Sequence, residues 1–415
     1  MQLRGESIMS HFWQDRKQRK LLGNAGFSWL FDAMDIGMLS FIIAALAVSW
    51  DLGADQVGWL TAINSIGMAV GAAAAGALAD RYGRRTILLA TLVLFSIATG
   101  LSGLATGFIM LCILRFFAGV GLGGELPVAS TLVSESVPIK ERGRIIVILE
   151  SFWAAGWLVA ALISYFVIPK YGWQIAFFIG ALPVFYAIYL RRSIEDSPRY
   201  REQKPANKLS FLQRIAFIWS KPYRRSTVVL WVLWFTVVFS YYGMFLWLPS
   251  VMVIKGFTLV KSFQYVLLMT LAQLPGYFTA AYFIEKFGRK FVLVVYLICT
   301  AVCALWFGLA ESEANLLAAG ALLSFFNLGA WGGMYAYTPE LYPTAARATG
   351  VGFAASFGRI GGILGPFLVG MLVASNIAVS TIFTIFFISI LIGVVAVMFW
   401  GKETKGIDPD AVENG

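Results

Sequence analysis

Two carboxylates lie three residues apart in a stretch that is otherwise almost entirely apolar, residues 28–41, which read SWLFDAMDIGMLSF. Three residues are close to one helical turn, so Asp32 and Asp35 are predicted to project from one face of a helix. Two carboxylates this close in a low-dielectric environment cannot both ionise cheaply, so one of them is expected to bind a proton near neutral pH. A nearby cation would oppose this proton binding, and Arg115 is the candidate. A static structural ion pair between Arg115 and one of the acids is the alternative interpretation.

Four other ionisable residues are predicted to lie within apolar segments: Arg115, Glu125, Glu150 and Arg359. A charge at the centre of a membrane-spanning helix costs roughly 2.5–3.5 kcal/mol, so these side chains should face the protein interior and find partners. Glu125 is expected either to bind protons or to brace Arg115, two roles that its position leaves open. Glu150 shares a helical face with Trp153 and Trp157 and is expected to line a cavity.

The elements that position these residues are predicted from composition. Of the 415 residues, 59% are hydrophobic and 13% are charged, against about 45–50% and about 25% in soluble proteins. A membrane-spanning helix needs roughly 20 apolar residues. Twelve such segments are predicted, at 22–48, 57–79, 86–105, 107–134, 145–168, 172–190, 227–254, 262–284, 291–310, 314–338, 348–374 and 378–400.

Charge placement predicts the orientation. All but five of the 32 Lys and Arg residues lie in the termini and in alternate loops. The positive-inside rule therefore predicts a multi-pass protein of the cell inner membrane with both termini and the 191–226 segment in the cytoplasm. The net charge of +10 is then explained by topology and anionic lipid, so nucleic acid is not an expected partner. The three cysteines lack metal-ligand spacing, and no metal is expected.

The chain contains an internal repeat with an offset of 205 residues. The stretch DRYGRR at 80–85 recurs as EKFGRK at 285–290, and the same offset takes Gly71 to Gly276 and Gly124 to Gly329. Such parallel repeats are typical of secondary transporters, whose substrate site lies between the two halves. We therefore predict an N-terminal bundle at 1–190, a cytoplasmic linker at 191–226 and a C-terminal bundle at 227–415. None of the interior charged residues has a charged counterpart at the 205-residue offset.

These motifs resemble the major facilitator superfamily. GALADRYGRR at 76–85 matches its loop signature, while the partner stretch at 281–290 has Ala281 in place of the first glycine. RFFAGVGLGGELPVA at 115–129, EDSPRY and GKETKG are similar to its sugar-porter and metabolite–proton symporter branches. WLFDAMD, ESFWAAGW and LSFFNLGAWG, among others, resemble the bacterial niacin permeases. The resemblance implies an all-α membrane protein with 12 transmembrane helices in two six-helix bundles related by a pseudo-two-fold.

The resemblance also implies a function. We expect a monomeric secondary transporter, not an enzyme, that takes up nicotinate by alternating access with the proton as coupling ion and no cofactor. Another aromatic monocarboxylate such as benzoate is the alternative substrate, and a transport-inactive ligand-binding protein of the same fold is the alternative class. In related sugar porters a helix-1 acid and a helix-4 arginine couple transport to protons. Here the predicted coupling residues are Asp32, Asp35, Arg115, Glu125 and Glu150.

The substrate site is predicted where aromatic residues cluster between the halves. Asn327, Trp331 and Tyr335 recur every four residues and so share a helical face. In the related synaptic-vesicle glycoproteins, ring ligands sit between tryptophans that match Trp153 and Trp331. Arg359 could hold a substrate carboxylate through two parallel hydrogen bonds, with a packed arginine as the alternative. The predicted substrate-binding residues are Trp153, Tyr241, Tyr242, Gln273, Asn327, Trp331, Tyr335 and Arg359.

Charged loop residues are predicted to form gates at the cytoplasmic rim. Asp and Glu contribute little to topology, so acids repeated at the same positions in both halves need another explanation. Ion pairs that form in one conformation and break in another would bias a rocking equilibrium. The predicted gating residues are Asp80, Arg84, Arg85, Glu135, Arg142, Glu285, Arg289, Glu340 and Arg347.

Overall fold

The computed structural model describes residues 16–82, 84–136, 142–193, 211–342 and 344–405. This part of the chain folds into sixteen α-helices. Seven belong to the N-terminal half: α1 Arg16–Ser49, α2 Ala54–Tyr82, α3 Arg84–Ser102, α4 Phe108–Ser136, α5 Arg142–Tyr171, α6 Trp173–Gly180 and α7 Pro183–Ser193. The remainder are α8 Phe211–Ile218, α9 Arg224–Phe245, α10 Leu248–Ile254, α11 Leu259–Leu271, α12 Gln273–Phe287, α13 Arg289–Leu309, α14 Glu313–Glu340, α15 Thr344–Ala374 and α16 Val379–Trp400.

The helices confirm the predicted all-α class with 12 transmembrane helices. Among the described residues, eleven segments are long and apolar enough to cross a membrane. The remaining predicted span, at 57–79, lies within α2, a helix of 29 residues.

Three predicted spans are each divided into two helices. The span at 172–190 breaks between α6 and α7, because Pro183 has no N–H to continue the helix and suits the first position of a new one. The span at 227–254 breaks in the same way before Pro249, in the first turn of α10. The third break, between α11 and α12, lies at Ala272.

The repeat in sequence is also a repeat in packing. In the N-terminal half α2 packs on α4, and in the C-terminal half α12 packs on α14. A Cβ atom at Gly71 would lie 1.9 Å from the carbonyl oxygen of Val120, and one at Gly276 would lie 2.1 Å from that of Phe325. Both the glycines and their partners are related by the 205-residue offset. Glycine lets the same two backbones touch in both halves.

The two halves contact each other through α2 with α15 and through α5 with α11, α12 and α14. Towards the end of the bundle opposite the 191–226 segment, a Cβ atom at Gly370 of α15 would lie 2.6 Å from the Cα atom of Gly58 of α2. Near them, the rings of Trp59 and Phe367 are 4.8 Å apart. The linker is not wholly irregular, since α8 forms within it and packs on α15.

Candidate functional site

Asp35 and Arg115 form a buried ion pair inside the N-terminal half. Asp35, on α1, is 1% exposed and Arg115, on α4, is 0% exposed, and their side chains form a salt bridge. Thr99 Oγ1 donates to Asp35 Oδ1 at 2.6 Å, and Arg115 Nη2 donates to Asn64 Oδ1 at 3.1 Å. The guanidinium also lies over the Phe177 ring, 5.6 Å from its centroid. Asp35 therefore has a fixed counter-charge supported by three neighbouring helices.

Asp32 has a different neighbour, the carboxyl group of Glu125. Both residues are fully buried, and the two carboxyl groups adjoin each other next to Ser28. As two carboxylates they offer only acceptors, and none of their four oxygens has a hydrogen-bond donor within the described part of the chain. A single proton on either group would supply the missing donor. Glu125 thus lies against Asp32, and the hydrogen bonds of Arg115 are made to Asp35, Thr99 and Asn64.

Aromatic residues from both halves meet at the centre of the molecule. Trp153 of α5 and Trp331 of α14 stack with ring centroids 6.3 Å apart and planes 17° apart. Trp153 Nε1 donates to Tyr241 OH at 2.7 Å, and the Tyr241 and Trp331 centroids are 4.7 Å apart. Tyr335 lies 5.8 Å from Trp331. We call Trp153, Tyr241, Trp331 and Tyr335 the aromatic cluster.

The two indoles of the aromatic cluster touch each other. A centroid distance of 6.3 Å is within the range of direct aromatic contact. A substrate ring placed between Trp153 and Trp331 would therefore have to separate the two indoles. The exposed fractions of Trp153 and Trp331 are 2% and 4%, which means that both indoles are closed to solvent.

Several polar groups without partners surround the aromatic cluster. Glu150 lies beside the indoles of Trp331 and Trp29. Both polar atoms of Gln273, Asn327 Oδ1, Tyr277 OH and Glu150 Oε2 are buried and lack a hydrogen-bond partner among the described residues. A buried polar group left unpaired costs about 1–3 kcal/mol. A ligand with complementary polar atoms would recover part of that cost.

Arg359 lies where the halves meet. Its Nη1 donates to Tyr242 OH at 3.3 Å and lies 3.9 Å from Met68 Sδ of the N-terminal half. Its charge also attracts that of Asp32. Tyr242 and Tyr241 meet edge to face, with centroids 5.3 Å apart. Arg359 therefore connects the neighbourhood of the buried acids with that of the aromatic cluster.

The predicted rim ion pairs are present in the C-terminal half. Arg289 Nη2 donates to Glu285 Oε1 at 3.0 Å, and Arg289 Nε donates to Glu340 Oε2 at 3.1 Å. Thr404 Oγ1, beyond the end of α16, donates to the same Glu340 oxygen at 2.6 Å. The side chains of Asp80, Arg84, Glu135, Arg142 and Arg347 lie outside the described residues; Arg85, which is described, is half-buried and has an interaction partner.

Glu403 ties the segment after α16 to the beginning of α13. Its carboxylate accepts from Arg289 N at 2.8 Å and from Lys290 N at 3.1 Å. Burial acts to raise the pKa of Glu403, but four backbone N–H donors outweigh it and hold the pKa below the ordinary value. Gly288, just before α13, has a φ of +99°, and a Cβ atom there would lie 2.5 Å from the Glu403 carboxylate. A glycine is needed at position 288 of the EKFGRK stretch because the backbone has a positive φ there and because the Glu403 carboxylate leaves no room for a Cβ atom.

The structure brings the predicted substrate residues together. It divides four of the five predicted coupling residues into two pairs, and it places the fifth, Glu150, beside the aromatic cluster. Sequence reasoning missed Thr99, Tyr277 and Ser28. Helical spacing could have found two of them, since Ser28 precedes Asp32 by four residues and Tyr277 follows Gln273 by four. Thr99 has no such signal, because only the packing of α3 brings it to Asp35.

A multi-pass bundle with two repeated halves and a buried polar centre defines a membrane transporter. The family model of the Major Facilitator Superfamily matches residues 25–276 and 263–414. The chain therefore belongs to this superfamily of transporters and is not an enzyme.

Similar proteins agree with this assignment. The chain is 62% identical over 392 residues to the putative niacin/nicotinamide transporter NiaP of Bacillus subtilis, covering 94% of this chain and 98% of that one. It is 43% identical to the niacin transporter NiaP of Acinetobacter baylyi, covering 93% and 94%. Among solved structures, the proton:xylose symporter XylE matches with a TM-score of 0.75 and 18% identity over 96% of this chain and 98% of that one. At that identity, the likeness concerns the fold.

Proposed function

We propose that this protein takes up nicotinate together with protons by alternating access. The observation that carries the proposal is Arg359, a cation between the halves, next to tyrosine and near both the aromatic cluster and the buried acids. An aromatic carboxylate needs a cation for its charge and aromatic surface for its ring. The names of the two NiaP relatives support nicotinate as the substrate.

In this proposal Asp32 and Glu125 hold the coupling proton. Their adjoining carboxyl groups need one proton to form a hydrogen bond, whereas Asp35 already has Arg115 as a counter-charge. When a nicotinate carboxylate neutralises Arg359, Asp32 loses the attraction of that cation, and a proton on the acid pair becomes more favourable. By thermodynamic reciprocity the bound proton favours nicotinate to the same degree. Substrate and proton therefore bind together.

The rim residues Glu285, Arg289 and Glu340 act as the gate of the C-terminal half in this proposal. They join the end of α12, the beginning of α13 and the end of α14, so movement of these helices against one another would break the pairs. Both termini and the 191–226 segment face the cytoplasm of a cell with an inner membrane, as the placement of Lys and Arg supports.

Substrate identity is tested by uptake of labelled nicotinate into proteoliposomes, with nicotinamide and benzoate as competitors. Arg359→Ala should raise the KM for nicotinate about 30-fold or more, since truncating one partner of a buried charge pair costs about 2–5 kcal/mol. Nicotinamide, which has no charge, should compete equally well with both proteins. The conservative variant Arg359→Lys should retain part of the nicotinate affinity. Equal losses for nicotinate and nicotinamide would remove Arg359 from carboxylate binding.

Proton coupling is tested separately by imposing a pH gradient on the same proteoliposomes. Asp32→Asn and Glu125→Gln should abolish the stimulation of uptake by an acidic exterior while nicotinate–nicotinate exchange continues. Asp55→Asn is the matched control, because Asp55 is an exposed acid at the beginning of α2. Gradient-driven uptake that survives in both variants would place the proton elsewhere.

A further inference from the structure

A groove of about 680 Å³ lies on the outer surface of the C-terminal half, between the beginning of α9 and the end of α16. Its walls are aliphatic and include Val228, Ile388 and Ile392, each roughly half exposed. Three cations, Lys221, Arg224 and Arg225, line one end. The groove is thus apolar along its length and positively charged at the end where the linker enters the bundle.

No ion pair with a carboxylate balances the cations of this groove within the described part of the chain. Arg225 donates from Nε and Nη2 to the carbonyl oxygens of Trp400 and Phe399 at 3.0 and 3.2 Å, which ties α9 to the end of α16. Lys221 and Arg224 are exposed, and neither side chain has a hydrogen-bond or ion-pair partner in the described part of the chain. Arg224 is also the first residue of α9, where the helix dipole disfavours a cation. These two charges, unpaired among the described residues, are the ones that an external anion would contact.

The walls of the groove indicate what kind of anion would fit. Val228, Ile392 and the half-exposed Trp400 face outward from the bundle, which in a membrane is the direction of the lipid. A ligand that fills the groove must have an anionic group at one end and a long apolar portion. The volume of the groove, about 680 Å³, is within the range of about 300–1,000 Å³ that is usual for ligand sites.

We propose that this groove binds an anionic glycerophospholipid of the leaflet that faces the linker. Lys221 and Arg224 contact the phosphodiester group, and one acyl chain lies along the aliphatic wall between α9 and α16. Basic pockets between transmembrane helices on the cytoplasmic side suit anionic lipid head groups. The bound lipid would connect the first and last transmembrane helices of the C-terminal half.

The proposal is tested by native mass spectrometry of the full-length protein, titrated with phosphatidylglycerol or with phosphatidylcholine of the same acyl chains. The wild type should retain phosphatidylglycerol in preference to phosphatidylcholine. The double variant Lys221→Gln, Arg224→Gln should bind phosphatidylglycerol about 30-fold more weakly. Arg225 is left unchanged, because it holds α16. The matched control, Arg19→Gln with Lys20→Gln at the beginning of α1, removes two exposed cations that do not line this groove and should change binding less than threefold.

A second variant, Val228→Trp, fills the groove without changing its charge and should also weaken phosphatidylglycerol binding. Retained binding in Val228→Trp would overturn the groove as the site of the acyl chain. Equal retention of both lipids by the wild type, equal losses in the groove and control double variants, or displacement of the lipid by inorganic phosphate alone would each overturn the proposal. The preference of the wild type for phosphatidylglycerol or phosphatidylcholine tests the proposal even if a variant fails to fold.

Discussion

The two halves of this transporter share their packing but not their interior charges. Gly71 contacts Val120 in one half as Gly276 contacts Phe325 in the other, all at the same 205-residue offset. In contrast, the position of Asp35 is occupied by Ser240, whose hydroxyl donates to the carbonyl oxygen of Thr236 on its own helix. The position of Arg115 is occupied by a glycine.

This difference separates two tasks. Residues common to both halves, such as the packing glycines, hold helices against each other. A transporter whose halves rock against each other needs close helix packing in both of them. Residues found in only one half carry the ionic chemistry: the N-terminal half holds Asp32, Asp35, Arg115 and Glu125, and the C-terminal half holds Arg359. In the proposed mechanism, a ligand between the halves would therefore lie between the acids of one half and the cation of the other.

The sharpest test of this contrast is Asp35→Asn against Ser240→Ala, its equivalent in the other half. Asp35→Asn leaves Arg115 buried without its counter-charge and should cost about 3–5 kcal/mol of stability. Ser240→Ala removes a hydroxyl that bonds only to its own helix and should change stability by about 0.5 kcal/mol or less. Thermal unfolding of the purified proteins in detergent measures both.

The double variant Asp35→Leu, Arg115→Leu removes both charges together. Because buried ion pairs contribute little net stability, it should be more stable than Asp35→Asn. A double variant as unstable as the single one would mean that Asp35 stabilises the bundle through Thr99 instead of Arg115.

The shared packing is tested by Gly71→Ala and Gly276→Ala. Each added methyl group would collide with a carbonyl oxygen of the facing helix, at 1.9 and 2.1 Å. Overpacking of this kind costs about 1–3 kcal/mol, and the two variants should lose similar amounts in the same unfolding assay. Gly352→Ala is the control, because nothing lies within 4 Å of the added atom. Clearly unequal losses would show that the repeat in packing is only approximate.

Sequence reasoning predicted the twelve spans, the two halves and a pairing of Arg115 with one of the two helix-1 acids, because periodicity and the cost of buried charge act locally or in pairs. It did not separate Asp32 from Asp35. Both are on one face of α1, but α3 brings Thr99 to Asp35 while α4 brings Glu125 to Asp32. Which acid receives which partner depends on how three helices pack, and no spacing within one segment encodes that. For the same reason the direct contact between Trp153 and Trp331 was not foreseen.

The smallest expected effect on stability concerns Glu403, whose contacts lie at the rim of the C-terminal half. Glu403→Gln weakens the acceptor for the N–H groups that begin α13 and should cost about 1 kcal/mol at neutral pH. Because the pKa of Glu403 is lower in the folded protein, its contribution is present above its ordinary pKa of 4.5 and is lost as the pH falls through the folded value. The difference in unfolding temperature between wild type and variant should therefore shrink in acid. Glu311→Gln, at an exposed loop acid between α13 and α14, is the control for the removal of one surface carboxylate. A difference that stayed constant down to low pH would mean that Glu403 acts through its shape and not through its charge.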